Sequence, residues 1–234
     1  MTTPSTWERL RRSLVNSAGT IVFGMEDGTV SIFGLIFGVA ATTSSTKTVL
    51  IAGASGAIAA AVSMMAGAYL DVETTRDETN ARRAAVQSDS VLDVGYATLA
   101  HRLADAGLTQ EQSAALAAAV NDNRPALSGL LLAMQDVGHT AQNPWEQALW
   151  MLIADFLAAA VPILPFVFLP INAARIVSGA VTIVLLVILG IGRARIAKRD
   201  AIRTMMETVG VGVAAALAGV AISVLIDHAF YGAT

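Results

Sequence analysis

The chain has 234 residues, of which 55% are hydrophobic and 14% charged, against about 25% charged in an ordinary soluble domain. It contains no cysteine, which excludes disulfides and thiolate metal sites. The formal net charge of −3 does not decide orientation in a membrane, which depends on where the basic residues lie.

In chain order, the opening "WERLRRSLVNSAG" sets Arg9, Arg11 and Arg12 before an apolar run. That run is longer than the 7–15 residues of a signal-peptide core, and a second apolar run follows closely, so it reads as a retained first helix. Uncharged stretches cover residues 28–46, 48–70, 156–174, 176–192 and 208–226, with lengths of 19, 23, 19, 17 and 19. Each is near the roughly 20 residues that cross about 30 Å of hydrocarbon. Arg175 and Arg193 can snorkel toward headgroups and lengthen the shorter ones. The expected fold is therefore all-α: a polytopic membrane protein with five transmembrane helices and a small cytoplasmic helical insert between the second and third. Its parts are residues 1–70 (N-terminal segment and first two spans), 71–146 (the insert) and 147–234 (the last three spans).

Within the insert, "ETTRDETNARRAAVQ" continues the second span without Gly or Pro. Leu92, Tyr96, Leu99 and Leu103 follow at helical spacing and stop at Gly107, a C-cap residue type. Thr109 with Gln112 forms a capping-box pattern opening the next helix, and Pro125 starts a further short one. "QNPWEQALW" returns the chain to the bilayer, with Trp145 and Trp150 suited to the interface. A cytoplasmic N-terminus puts thirteen of the fifteen basic residues inside, leaving Lys47 and Arg175 outside. This is the asymmetry the positive-inside rule asks for, and it makes the C-terminus external.

The chemistry-bearing residues are few. Glu26 and Asp27 stand at the threshold of the first uncharged stretch, and an acid inside the bilayer is costly enough to suggest function. Gly24, Gly28, Ser31 and Gly38 fall on one narrow arc of that helix, with Gly34 beside it, and Asp27 lies on its edge. Small residues in such a stripe allow close helix approach. Glu26 faces elsewhere, toward solvent or the N-terminal arginines. Gly53, Ala57, Ala60, Met64, Gly67 and Asp71 form a comparable stripe on the second span, where a thioether can serve a borderline divalent metal. Asp155 lies eleven residues past Pro144, about 16 Å along the third helix, as a second intramembrane acid. Glu73 and Asp77 are i,i+4 neighbours able to share a cation with Asp136 or Glu146, and His101 repeats that spacing with Asp105. No Walker motif, Rossmann glycine pattern or nucleophile triad is present, so no enzyme activity, no cofactor and no nucleic-acid partner are expected.

Three ordered motifs carry a resemblance. "EDGTVSIFGLIFGVA" resembles the "NDG-[LI]-VS" opening of the vacuolar iron transporter family. "AGASGAIAAAVSMMAGAYLDVETTRDE" is similar to that family's second helix, and "NPWEQALWMLIADFLAAAVPILPF" to its third. The resemblance, to a bacterial-type member, implies a homodimer that moves Fe2+, and also Mn2+, out of the cytosol in exchange for protons. It implies a pathway near the two-fold axis, lined by the first two helices and placing the pathway acid at Asp27 and the pathway methionine at Met64. On that reading the metal ligands are Asp27, Met64, Asp71, Glu73, Asp77 and Asp136. The pathway comprises Asp27, Gly28, Ser31, Gly38, Met64, Gly67 and Asp155. The expected location is the cell (inner) membrane. Departures from the pattern are Gly56 and Ala68, where relatives carry acids, and an insert poor in glutamate. These departures favour the competing reading, a non-transporting membrane scaffold that keeps the fold.

Overall fold

The computed structural model describes residues 5–86, 99, 101, 103–105, 107–121, 123 and 143–231. It divides into two units, residues 1–70 with 144–234, and residues 71–143. Among the described residues, five helices are long and apolar enough to cross a membrane, and the chain is a multi-pass membrane protein. Large apolar side chains such as Val211, Leu217, Ile222 and Leu225 on the last helix lie on the outside, an arrangement that water would oppose and lipid accepts.

The first unit opens with α1 (Thr6–Asn16), started by a capping box in which the Ser5 hydroxyl accepts from the Glu8 N–H and the Glu8 carboxylate accepts from the Ser5 N–H. Only Ser17 separates it from α2 (Ala18–Thr42). The long α3 (Thr46–Val86) follows a three-residue turn in which the Ser45 hydroxyl accepts from the Thr48 N–H. Beyond the insert come α5 (Pro144–Phe168), α6 (Ile171–Ala197) and α7 (Ala201–Tyr231). Pro144 occupies a first helical position, where a missing N–H costs nothing. Between α6 and α7 the chain turns at Lys198, which adopts the left-handed conformation (φ 52°) while the Arg199 N–H returns to the Ala194 carbonyl. Asp200 then caps α7 through the Arg203 N–H at 2.8 Å.

Two span boundaries differ from expectation. The first membrane helix begins at Ala18 instead of near Gly28, so Glu26 and Asp27 are interior residues about a third of the way along it. The third begins at Pro144 and stops at Phe168, cutting through the uncharged run 156–174. The break is at Leu169–Pro170, because proline lacks an N–H and disfavours helical geometry in the residue before it. Counting uncharged residues missed both ends, since it treats a charge as a boundary and a proline as neutral.

The central element is α2. Its Gly24 and Gly28 meet α5 at Met151, Ala154 and Asp155, while Gly34 and Gly38 meet α7 at Ala215, Gly219 and Ser223. Residue numbers rise together along both contacts, so α2, α5 and α7 run the same way. Across α2, Gly53 and Gly56 of α3 face Ile36, Leu35 and Ile32 in the opposite sense. Ile32, Ile36, Ala40, Val49, Ala57 and Phe166 belong to a buried apolar core toward the far end of α2.

In the second unit, the Gly107 and Leu108 N–H groups return to the carbonyls of Ala104 and Leu103, with Gly107 at φ +99°. These paired bonds make a Schellman stop. The Thr109–Gln112 capping box is present, with bonds of 3.1 and 3.3 Å, and it opens α4 (Gln110–Asn121). Leu92, Tyr96, Pro125 and Asp136 lie outside the described residues.

Candidate cation site

Near the end of the bundle that carries α1 and the α6–α7 turn, three acids enter the helical layer. Glu26 is buried, and its carboxylate accepts from Arg193 Nη1 of α6 at 3.3 Å and from the Thr208 hydroxyl of α7 at 2.9 Å. The expectation that Glu26 faces solvent or the N-terminal arginines is thus corrected. It ties α2 to α6 and α7, and its negative charge is already balanced. The signal for this partner was present in Arg193, which ends an antiparallel span level with Glu26.

Asp27, one residue on, is half-buried and has no hydrogen-bond or ion-pair partner among the described residues. Asp155 of α5 is fully buried, and neither carboxylate oxygen has a donor among the described residues. A methyl group at Gly28 would lie 2.8 Å from Asp155 Oδ1 and 3.0 Å from its carbonyl carbon. The absence of a side chain at Gly28 is therefore what lets Asp155 rest against α2 beside Asp27, and the two carboxylates are within electrostatic range of each other. An ionised carboxylate removed from water without a donor or counter-charge costs several kcal/mol. This pair is suited to a cation or to protons. Asp155 is not paired with a surface arginine.

The remaining sequence-derived residues are dispersed. Gly38 is buried against Gly219 and Ser223 of its own chain, Ser31 is exposed, and a methyl group at Gly67 would meet nothing within 4 Å. The single small-residue face expected on the first helix is therefore split. Its glycines pack within the protomer, and Ser31 is left on the outside. Met64 is half-buried on α3. Asp71 and Asp77 are exposed and Glu73 is half-buried on the later turns of α3. Among the described residues, no three His, Cys, Asp or Glu side chains converge as a metal cluster. His101 and Asp105 do pair, at 3.0 Å, on an exposed surface.

Of the two arginines expected to snorkel, Arg193 is the partner of Glu26, and Arg175 of α6 donates to the Ala40 and Thr43 carbonyls, the latter at 2.9 Å. It thereby satisfies carbonyls that the end of α2 leaves open and places a positive charge at the negative end of the helix dipole. The two tryptophans differ from each other. Trp145 is exposed and packs on Tyr69 with ring centroids 4.9 Å apart, whereas Trp150 donates its indole N–H to the Ser13 hydroxyl of α1 at 2.8 Å.

Comparison with known proteins gives one consistent result. The model of the VIT family matches residues 18–224. A "Vacuolar iron transporter" from Centaurea cyanus is 28% identical over 163 residues, covering 68% of this chain and 66% of the relative. "Vacuolar iron transporter 1" of Eucalyptus grandis is 26% identical over 164 residues, covering 68% and 65%. The protein of the same description from Arabidopsis thaliana is 26% identical over 155 residues, covering 64% and 62%. The chain thus spans slightly less than two thirds of the length of these relatives.

Proposed function

Because the chain belongs to the VIT family, whose members are transporters and not enzymes, we propose that it carries a divalent metal ion across the membrane. The cargo is Fe2+, with Mn2+ as a second substrate, moved out of the cytosol in exchange for protons. The observation that carries this reading is the pair Asp27 and Asp155, intramembrane acids with no cation of their own. The only arginine at that level among the described contacts, Arg193, is taken up by Glu26. Met64 supplies a softer thioether that favours Fe2+ over Mg2+ or Ca2+. Asp71, Glu73, Asp77 and Asp136 deliver metal from the cytoplasmic side, with a modest effect on apparent affinity.

The N-terminus, the insert and the α6–α7 turn face the cytoplasm, and the C-terminus is external, in the cell membrane. The placement of Arg193, Arg195, Lys198, Arg199 and Arg203 at one end of α6 and α7 supports this orientation. The working unit is a homodimer. With the α2 glycines used inside the protomer, its interface is the open face of α3, where Ser55, Ala59 and Ser63 are exposed together with Ser31 of α2. Small and hydroxyl-bearing side chains at membrane depth favour another helix over lipid.

Proteoliposomes loaded with a metal-sensitive dye test the reading. Fe2+ and Mn2+ should enter faster under a pH gradient, Asp27→Asn should abolish flux, and Met64→Leu should depress Fe2+ more than Mn2+. Flat traces for Fe2+, Mn2+, Co2+ and Zn2+ alike would return the chain to the class of membrane scaffolds.

A further inference from the structure

Asp155 poses a problem that helix packing does not solve. It is as buried as any residue in the protein, its two oxygens accept no hydrogen bond, and it lies against the backbone of α2 at Gly28. A serine or alanine would fill a contact this tight at far lower cost, since an orphaned buried charge is among the most destabilising groups a fold can hold. The bundle also shows how it treats an acid that is purely structural. Glu26, one residue before Asp27 on α2, is given both Arg193 and the Thr208 hydroxyl. The other arginine bonded inside the bundle, Arg175, is committed to the opposite end of α2.

We propose that Asp155 is a direct ligand of the transported cation, shared with Asp27 across the Gly28 contact between α2 and α5. Two carboxylates held together without a counter-charge carry two negative charges, which one divalent ion neutralises and a monovalent ion does not. The site therefore selects divalent cations by charge. Gly28 is what allows the two helices to meet this closely, since a methyl group there would collide with Asp155. The word "transported" rests on the function proposed above, whereas the binding site does not require flux.

The experiment measures Mn2+ binding to the purified full-length protein in detergent, read as loss of the free-ion electron paramagnetic resonance signal, alongside thermal melting in metal-free buffer. Asp155→Asn keeps the shape and removes the charge. Its Mn2+ affinity should fall about ten-fold or more, equivalent to about 1.4 kcal/mol, while its melting midpoint stays level or rises. Opposite movements of affinity and stability are not what a structural acid gives. As a control, Glu207→Gln removes the charge that Arg199 and Arg203 share on α7 and should leave affinity within about two-fold. Unchanged Mn2+ affinity in Asp155→Asn overturns the proposal, as does a lowered midpoint, a variant that does not fold, or a parent protein that binds no Mn2+. Asp155-dependent binding without flux in proteoliposomes would refute the transport reading and leave the site standing. Normal affinity and normal flux in Asp155→Asn would do the reverse.

Discussion

Gly28→Ala adds one methyl group at the point where α2 and α5 come closest. That methyl would stand 2.8 Å from Asp155 Oδ1 and 3.0 Å from the Asp155 carbonyl carbon, where ordinary contact begins at 3.4 Å. The carboxylate could rotate away, but the Asp155 carbonyl oxygen, which stands closer to the methyl than either of these atoms, cannot, so the helices must part by several tenths of an ångström or more. Overpacking of this kind costs about 1–3 kcal/mol, against a helix-propensity gain of about 1 kcal/mol for alanine over glycine. Gly210→Ala makes the same chemical change on α7, where nothing lies within 4 Å of the new methyl. There only the propensity gain remains, so this variant should be stabilised by up to about 1 kcal/mol. At about 2–4 °C per kcal/mol for a chain of this size, the two variants should melt several degrees apart with opposite signs relative to the parent. Thermal fluorimetry in metal-free detergent solution measures this directly. Equal shifts in the same direction would mean that the α2–α5 contact is not as close as described, and would remove the geometric basis for placing Asp155 beside Asp27.

Two further outcomes follow from the packing. Glu26→Gln leaves Arg193 without its carboxylate and weakens the bond from Thr208; with Arg193 partly solvated, the loss should be about 1–2 kcal/mol. A double-mutant cycle with Thr208→Val should show coupling, and strictly additive melting shifts would mean the two groups do not interact. Ala59→Leu should shift the protein from dimer to monomer in cross-linking or light scattering while leaving the protomer folded, whereas Gly38→Leu, aimed at Gly219 and Ser223 of the same chain, should destabilise the protomer itself. Loss of folding in the first and loss of dimer alone in the second would reverse the assignment of the two faces.

The five membrane helices and their order are legible in the sequence because lipid offers no partner for a backbone polar group, and uncharged runs of 17–23 residues satisfy that demand as helices. The local stops are legible for a similar reason: Gly107 and the Thr109–Gln112 pair act on backbone groups a few residues away. Asp27 and Asp155 also stand out in one dimension, since acids in such helices are rare. Tertiary structure decided what each of these groups meets. The period of the α2 glycines is the same whether they receive a helix of their own chain or of another, and only packing assigns Gly28 to α5 and Gly38 to α7. Charge alone cannot distinguish Glu26 from Asp27, because adjacent residues on a helix point about 100° apart and only the neighbours on each side determine which is neutralised. Arg193 and Thr208 lie 167 and 182 residues from Glu26 in sequence, and no local pattern reports a meeting of that range. The same holds for Asp155, whose lack of a donor among the described residues is a property of the helices packed around it and not of the residues beside it in the chain.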